Sequence, residues 1–446
     1  MTDAGVPQPA IEVFSDFYRQ LEGGATGLVR EHDVEPLIGI DRAADVSFDT
    51  DAQAEAAAVT AVIKLNGGLG TSMGMDRAKS LLPVRGEQSF LDVIAGQVQH
   101  VRRELGVTLP LLFMHSFRTQ DDSLAALARH EGLAVDGLPL DFVQNREPKL
   151  RADDLTPVEW PADPSLEWCP PGHGDLYTAL LASGVLEQLV EAGYRYATVS
   201  NADNLGAAPD PAMMAWFAAS GAPYAAEVCR RTPADVKGGH LVVRREDGRL
   251  VLRETAQTHP DDADEAADLH RHPFFHTNNL WFDLPHLLAT LRERDGVLGL
   301  PLIRNEKTVD PTDPTSPKVV QIESAMGAAV EVFDGASAIE VDRSRFLPVK
   351  TTNDLMLLRS DVFGLGKDHR LRATVAERPL IDLDKRFFAT INDFDARVPH
   401  VPSLADATSL TVRGDWRFGR DVSVHGAVEL DDDGTARQVE SGARLG

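Results

Sequence analysis

Between Lys64 and Ser80 the chain reads KLNGGLGTSMGMDRAKS, an apolar run entering a loop with Gly67, Gly68, Gly70 and Gly74 and ending on Lys79 and Ser80. Glycines so placed permit positive φ and let backbone N–H groups approach a phosphate or a base. Three chemistries use such a loop. A GxxxxGK[ST] phosphate loop is disfavoured, because Ala78 stands where the second glycine is required. Gly68, Gly70 and Gly74 spell GxGxxxG, a loose relative of the dinucleotide fingerprint, yet no acidic residue ends a second strand about 20 residues later. Asp92 falls at that distance but sits at a helix start. The third is nucleotidyl transfer, in which the glycines approach base and phosphates while Lys79 reaches the same phosphates as a point charge.

Three further residues suit that chemistry. His173, between Gly172 and Gly174, precedes an amphipathic helix with Asp175 as its expected N-cap, and a helix start offers unpaired N–H groups to an anion. The bland alternative is a surface turn. Asp203, flanked by Asn201 and Asn204 after the strand RYATVS, suits Mg²⁺, whose hard-oxygen preference is met by a carboxylate plus triphosphate oxygens; the alternative is an Asx turn. Lys350 is one of only nine lysines against 35 arginines. In so arginine-biased a chain, a lysine marks a place for a compact ammonium on a flexible stem.

These segments resemble the UTP–glucose-1-phosphate uridylyltransferase (UDP-glucose pyrophosphorylase) family of the eukaryotic-like type. LNGGLGTSMG with its following lysine-serine pair looks like the family's signature loop, and Gln144 to Lys149 like its QxxxPK element. WCPPGHGDLY at 168–177 is similar to its PPGHGD segment, SNADNLGA at 200–207 to its acidic metal loop, FFHTNNLWF at 274–282 to its sugar-side segment. RSRFLPVKTTNDL at 343–355 resembles the element that supplies a late lysine. Six blocks in one order are far more specific than any one of them. One departure is DRAKS, where Arg77 and Ala78 replace the usual glycine-proline.

The resemblance implies UMP transfer from UTP to α-D-glucose 1-phosphate with Mg²⁺ as cofactor. Lys79 and Lys350 would be catalytic and would also bind UTP. Leu65, Asn66, Gly67 and Gly68 would present backbone to the uridine, Gln144 and Gly172 would read the base, and Asp203 would hold the metal. His173, Asn201, Asn278 and Asn279 would meet the sugar phosphate. His270 and His272 do not form the His-Pro-His of enzymes that pass through a uridylyl-histidine, which disfavours a ping-pong route. The rivals are a uridylyltransferase for N-acetylglucosamine or galactose 1-phosphate, and a non-catalytic nucleotide-sugar sensor.

Composition sets the surroundings. Sixty-nine acidic against 44 basic residues give a formal charge of −25, which repels nucleic acid and anionic membranes and confines anion binding to a local pocket. Cys169 and Cys229 lie 60 residues apart without a CxxC partner, so neither a disulfide framework nor a structural zinc site is expected. No apolar run reaches the roughly 18 residues of a membrane helix and the start is acidic, which reads as a cytoplasmic chain.

The elements that must position these residues alternate. Apolar strands at 59–65, 109–115, 140–144 and 195–200 interleave with helices near 90–104, 119–130 and 175–191, the pattern of an α/β domain with a mainly parallel sheet. RREDGRL at 244–250 reads as a hairpin turn. Residues 1–55 read as a helical cap and 56–360 as the catalytic domain. From 361, Val412, Phe418, Val424 and Leu430 recur every six residues, with Leu410, Trp416, Val422 and Val428 in a second phase. That period implies stacked β-helix rungs, with a meander as the alternative, and a structural or associative role through which copies could assemble. The resemblance makes the whole a Rossmann-like, GT-A-like α/β nucleotidyltransferase, its mixed sheet flanked by helices, with a C-terminal left-handed β-helix.

Overall fold

The computed structural model describes every residue except 233, 234, 236 and 237, so Lys237 lies outside the described residues. Four parallel strands, Tyr196–Asn201, Thr60–Asn66, Leu111–His115 and Asp141–Val143, lie side by side in one half of an eleven-stranded mixed sheet. Phe274–Asp283 runs antiparallel between Tyr196–Asn201 and Tyr224–Arg230, and Ser337–Glu340 and Asp41–Arg42 continue in parallel beyond. The four expected strands are therefore all present, each within two residues of its predicted ends.

Alternation within the strands covers both faces. Val62, Leu111, Phe113 and Trp281 join one core with helices Phe90–Leu105, Pro211–Ser220 and Thr352–Arg359. Ala61, Ile63, Leu65, Leu112, Leu280 and Phe282 join the other, with Gln8–Glu22, Asp175–Ala182 and Leu284–Glu293. Phe90–Leu105 starts in a reciprocal capping box between Ser89 and Asp92, which accounts for the acid at that position without a nucleotide.

Two readings change. The single helix expected at 175–191 is two, Asp175–Ala182 and Val185–Glu191, because Gly184 takes a left-handed φ of 73° between them. Residues 1–55 hold one long helix, Gln8–Glu22, but Val34–Pro36 and Asp41–Arg42 are strands that extend the sheet. That segment is anchored by a buried cluster in which Arg253, fully buried, donates to Glu31 at 2.7 Å. His272 is buried against the same Glu31, at 3.1 Å.

In the C-terminal segment, Leu380–Leu383, Ser403–Val412, Ser423–Leu430 and Arg444–Leu445 pair in parallel, as do Trp416–Phe418 and Arg437–Val439. An antiparallel meander is thereby excluded. The six-residue pattern has its physical basis here: Leu410, Val412, Phe418, Val422 and Val424 are all buried in the same core as Val62 and Phe113 of the large sheet.

At the sheet's centre sits a buried polar network. Glu227, with no exposed surface, accepts from Arg345 Nε at 2.7 Å and Nη2 at 2.6 Å, from Asn279 Nδ2 at 3.0 Å and from Trp281 Nε1 at 3.0 Å. Lys64, 1% exposed, donates to Ser200 Oγ at 2.6 Å and to the Ala207 carbonyl at 2.7 Å. Burial, and then the Arg345 charge, lower the Lys64 pKa to about 7, against the pull of Glu227. Replacing Glu227 by alanine strands the Arg345 guanidinium in the interior, a change that costs about 3–5 kcal/mol. The urea-unfolding midpoint should fall accordingly. The Lys64 amine binds its proton more weakly folded than unfolded, so its contribution to stability rises with pH from about 7 towards its unfolded value. The stability difference between wild type and Lys64→Met, measured by urea unfolding, should therefore move in favour of wild type between about pH 7 and 9.5.

Candidate active site

The glycine loop and the Asp203 loop leave the carboxyl ends of adjacent parallel strands, with Lys64 opposite Ser200 and Leu65 opposite Asn201. Ligands of open α/β sheets bind at this edge. Gln144 follows the outermost of the four strands and donates its N–H to the His115 carbonyl at 2.7 Å, which brings it over the same edge. A cleft of about 420 Å³ opens there, lined by Gly67, Gly68, Lys79, Gln144, His173 and Asp203 among others. Leu65, Asn66, Gly172 and Asn201 also border it.

Lys79 is held by its backbone and by its ammonium. Its N–H donates to the Gly68 carbonyl at 3.1 Å, closing the loop. Gly70, at φ 64°, makes that closure possible, since a Cβ there would lie 2.9 Å from Met75 Sδ. Ala78 is fully buried, so packing fixes the stretch that the missing glycine-proline pair would otherwise stiffen. The Lys79 ammonium forms an ion pair with Asp203 Oδ2 and donates to the Val349 carbonyl at 2.6 Å. Val349 in turn donates its N–H to the Asp203 carbonyl at 3.3 Å.

The 168–175 segment is clamped from the far side. Ser324 N–H donates to the Pro171 carbonyl at 3.0 Å and accepts at its own carbonyl from Gly174 N–H at 2.8 Å. Gly172 takes φ 78°, and a Cβ there would come within 2.7 Å of the Ser324 oxygen. Its carbonyl accepts from Gln144 Nε2 at 2.9 Å, while Gln144 Oε1 lies against Gly67. An amide thus spans the gap between the two glycine segments, with its oxygen turned to the loop.

The expected reason for an anion at His173 does not hold. Gly174 is the N-cap, and the N–H groups of Gly174, Asp175 and Leu176 are already bonded to carbonyls. Asp175 caps nothing: its carboxylate accepts from Asn145 N–H at 2.6 Å and Nδ2 at 2.8 Å, and burial raises its pKa to about 7. The ring of His173 is what reaches the cleft. Its Nδ1 accepts from Met326 N–H at 2.9 Å, which places the ring proton on Nε2, and burial lowers its pKa, so it is a neutral donor.

Asn66 borders the cleft with its side chain turned away to His115 Nδ1 at 3.1 Å and Ser123 Oγ at 3.0 Å, which leaves its backbone on the cleft side. Several other predicted contacts are placed elsewhere. Asn279, 1% exposed, is consumed by Glu227, the Arg345 carbonyl and Asn204, and does not line the cleft. Asn278, at φ 59°, faces His276 Nδ1 at 3.1 Å and also stands outside it. Lys350 is adjacent to the Val349 carbonyl that receives Lys79, but its side chain is exposed and borders a neighbouring cavity of about 330 Å³ with Phe275 and Arg378. His270 and His272 are not among the cleft residues.

A divalent cation fits one position. Asp203 Oδ1 is buried and has no hydrogen-bond partner among the described residues, while Oδ2 meets an ammonium. Among the described residues no group of three or more His, Cys, Asp or Glu could hold a metal. A hard cation at Asp203 would therefore complete its oxygen shell from substrate and water, as Mg²⁺ commonly does. Sequence reasoning missed Val349, whose contribution is a carbonyl and leaves no residue-type signal. It also missed Glu254, a half-buried carboxylate beside Gly239 and near Lys350, whose pKa burial raises against the pull of that lysine. A larger cavity of about 590 Å³ lies behind the Asp203 loop, but its arginines face carboxylates such as Glu340 and Asp210, and none of the predicted substrate-binding residues borders it.

Comparison with known proteins gives one answer. Residues 14–425 match the model of the UTP–glucose-1-phosphate uridylyltransferase family. A UTP–glucose-1-phosphate uridylyltransferase of Saccharomyces cerevisiae is 39% identical over 371 residues, 82% of this chain and 73% of that one. A probable one of Schizosaccharomyces pombe is 37% identical over 372 residues, 82% and 72% of the two chains. A mutant UDP-glucose pyrophosphorylase of Leishmania major, solved in complex with UDP-glucose, superposes with a TM-score of 0.92 at 40% identity, covering 100% of this chain and 96% of that one. A UDP-glucose phosphorylase structure from Trypanosoma brucei gives 0.90 at 41% identity with the same coverage. With the loop, cleft and sheet edge in the same chain as these matches, the protein belongs to the UTP–glucose-1-phosphate uridylyltransferase family.

Proposed function

We infer that the protein transfers UMP from UTP to α-D-glucose 1-phosphate, giving UDP-glucose and pyrophosphate. One observation carries this reading: Lys79 and Asp203 meet in a cleft with the Gly67–Gly68 backbone, Gln144 and His173, in a chain whose solved relative binds UDP-glucose. An oxygen of the sugar phosphate attacks the α-phosphorus of UTP and pyrophosphate departs from the opposite side. Both reactants are anions. Their repulsion dominates the barrier, so positioning and charge neutralisation supply the catalysis and no protein nucleophile is needed.

Gln144 Oε1, held against Gly67, is placed to accept from the uracil N3–H, and the Gly67, Gly68 and Gly172 backbone to flank the base. Lys79 leaves Asp203 for the triphosphate and stabilises the departing pyrophosphate. Asp203 would hold Mg²⁺, which when bound neutralises charge across the phosphate oxygens. His173 donates from Nε2 to the sugar phosphate, with Asn201 at the ribose or sugar. Asn279 positions its neighbours and touches no substrate. Lys350, on the segment bonded to the Asp203 loop, swings its ammonium to the incoming phosphate.

In the same reading, residues 1–55 act as a cap, 56–360 as a GT-A-like catalytic domain of Rossmann type, and 361–446 as a left-handed β-helix whose parallel ladders support stacking of rungs. The protein works in the cytoplasm; among the described residues no helix is long and apolar enough to cross a membrane.

Lys79→Ala and Lys350→Ala should each lower turnover by about 10²-fold or more in a pyrophosphate-release assay, as the loss of a donor aimed at developing charge does. Lys79→Arg should fail comparably, because a planar fork cannot replace an ammonium between a carboxylate and a carbonyl. Unchanged turnover in both alanine variants removes the mechanism. Faster turnover with galactose or N-acetylglucosamine 1-phosphate than with glucose 1-phosphate would reassign the sugar.

A further inference from the structure

The segment carrying Lys350 lies between the Arg343–Arg345 turn and the Thr352–Arg359 helix, and it is laid along the Asp203 loop with one side chain between them. Asn204 is 2% exposed. Its Oδ1 accepts from Leu347 N–H at 2.8 Å, and its Nδ2 donates to the Arg345 carbonyl and to Asn279 Oδ1, each at 3.1 Å. Asn204 also pairs as an antiparallel bridge with Pro348, and the next backbone bond joins Val349 to Asp203. Arg345 is itself fixed by Glu227 through both ends of its guanidinium. The chain of contacts then reaches the cleft, because the Val349 carbonyl receives the Lys79 ammonium.

We propose that Asn204 is a positioning residue for the transfer step: its amide sets the register of residues 345–350 on the Asp203 loop, so that Lys350 and Lys79 address the same phosphates. The role rests on the uridylyltransferase reading above. A primary amide presents one acceptor and two donors in one plane, and here it satisfies a backbone N–H and a backbone carbonyl two residues apart, as a partner strand would. Alanine leaves the Leu347 N–H unpaired in the interior and the Arg345 carbonyl with Asn279 Nδ2 as its remaining donor. Aspartate keeps the acceptor but turns an oxygen toward the Arg345 carbonyl and the Asn279 side-chain oxygen.

The test uses the full chain as wild type, Asn204→Ala, Asn204→Asp, Lys350→Ala and the Asn204→Ala/Lys350→Ala double variant, with steady-state pyrophosphate release and amide hydrogen exchange. Asn204→Ala should lower kcat about tenfold or more with KM for UTP moved less than about threefold, since a misplacement of about 1 Å costs up to roughly 10²-fold. Exchange at 345–350 should accelerate while 60–66 keeps its protection. In the Lys350→Ala background the further loss should be clearly smaller than in wild type, because the part that acts through Lys350 is already gone and only the part through Lys79 remains. Asn204→Asp should lose turnover in the same way and serves if the alanine variant does not fold. Wild-type kcat in either Asn204 variant overturns the proposal, as does unchanged exchange at 345–350. An equal fold-loss with and without Lys350 would show a general structural role and also overturn it. An inactive wild type would instead overturn the functional reading itself.

Discussion

The ion pair between Lys79 and Asp203 joins two loops that follow neighbouring parallel strands, so its geometry is inherited from the sheet. Strand register places Leu65 opposite Asn201, and each chain then has only a few residues in which to bring its charged group to the edge. Gly70 supplies the sharp closure on one side, and the Asn201–Ala207 turn, bonded internally at Asn204 and Ala207, supplies it on the other. The Val349 carbonyl completes the seat of the ammonium from a third direction. Three segments distant in sequence thus converge on one nitrogen, and a displacement of any of them is felt at the others.

Beneath that convergence lies a frame of buried polar groups. Burying a carboxylate and a guanidinium is expensive unless geometry is excellent and the remaining donors are satisfied. Glu227 meets that condition with four donors, two from Arg345, one from Asn279 and one from Trp281. Lys64 does so differently: burial weakens its hold on a proton, and its hydrogen bonds to Ser200 and Ala207 tie the glycine strand to the Asp203 loop from below. An apolar frame of equal volume would hold the strands together but would fix no direction for the loops above them. Directional bonds to backbone carbonyls at 207 and 345 do so.

How much of this is legible in the residues alone follows from what each signal encodes. The strands before the glycine loop and before Asp203 announce themselves by apolar runs, and the loops by glycine and asparagine spacing, so the cleft's two walls are readable. The break at Gly184 is not, because Leu186 and Val190 continue the apolar stripe of the preceding helix and the kink leaves the pattern in phase. Asn279 shows why residue type misleads: an asparagine in a motif looks like a sugar contact, but its neighbour across the sheet is the buried Glu227, which takes the amide first. The His173 assignment reached the cleft for a reason the structure replaces. The motif points to helix N–H groups as the anion's donors, but these are spent on the Ser324, Gly172 and His173 carbonyls, which leaves the ring as the group proposed above for that contact.

The strongly acidic exterior bears on the cleft through Asp203. A half-buried carboxylate without a cationic partner, where the proposed reaction would bring a triphosphate, would add its charge to a field that already repels anions. The Lys79 ammonium offsets that charge through its ion pair with Asp203. In the reaction proposed above, a nucleotide arriving with its cation would exchange one positive partner of Asp203 for another, and the released ammonium would meet the phosphates without being drawn from solvent. Because the Lys79 backbone is fixed to Gly68, only the side chain has to turn. The reorganisation that the proposed reaction would demand is thus confined to a flexible four-carbon stem, which is a physical reason for lysine at position 79 in a chain that elsewhere prefers arginine.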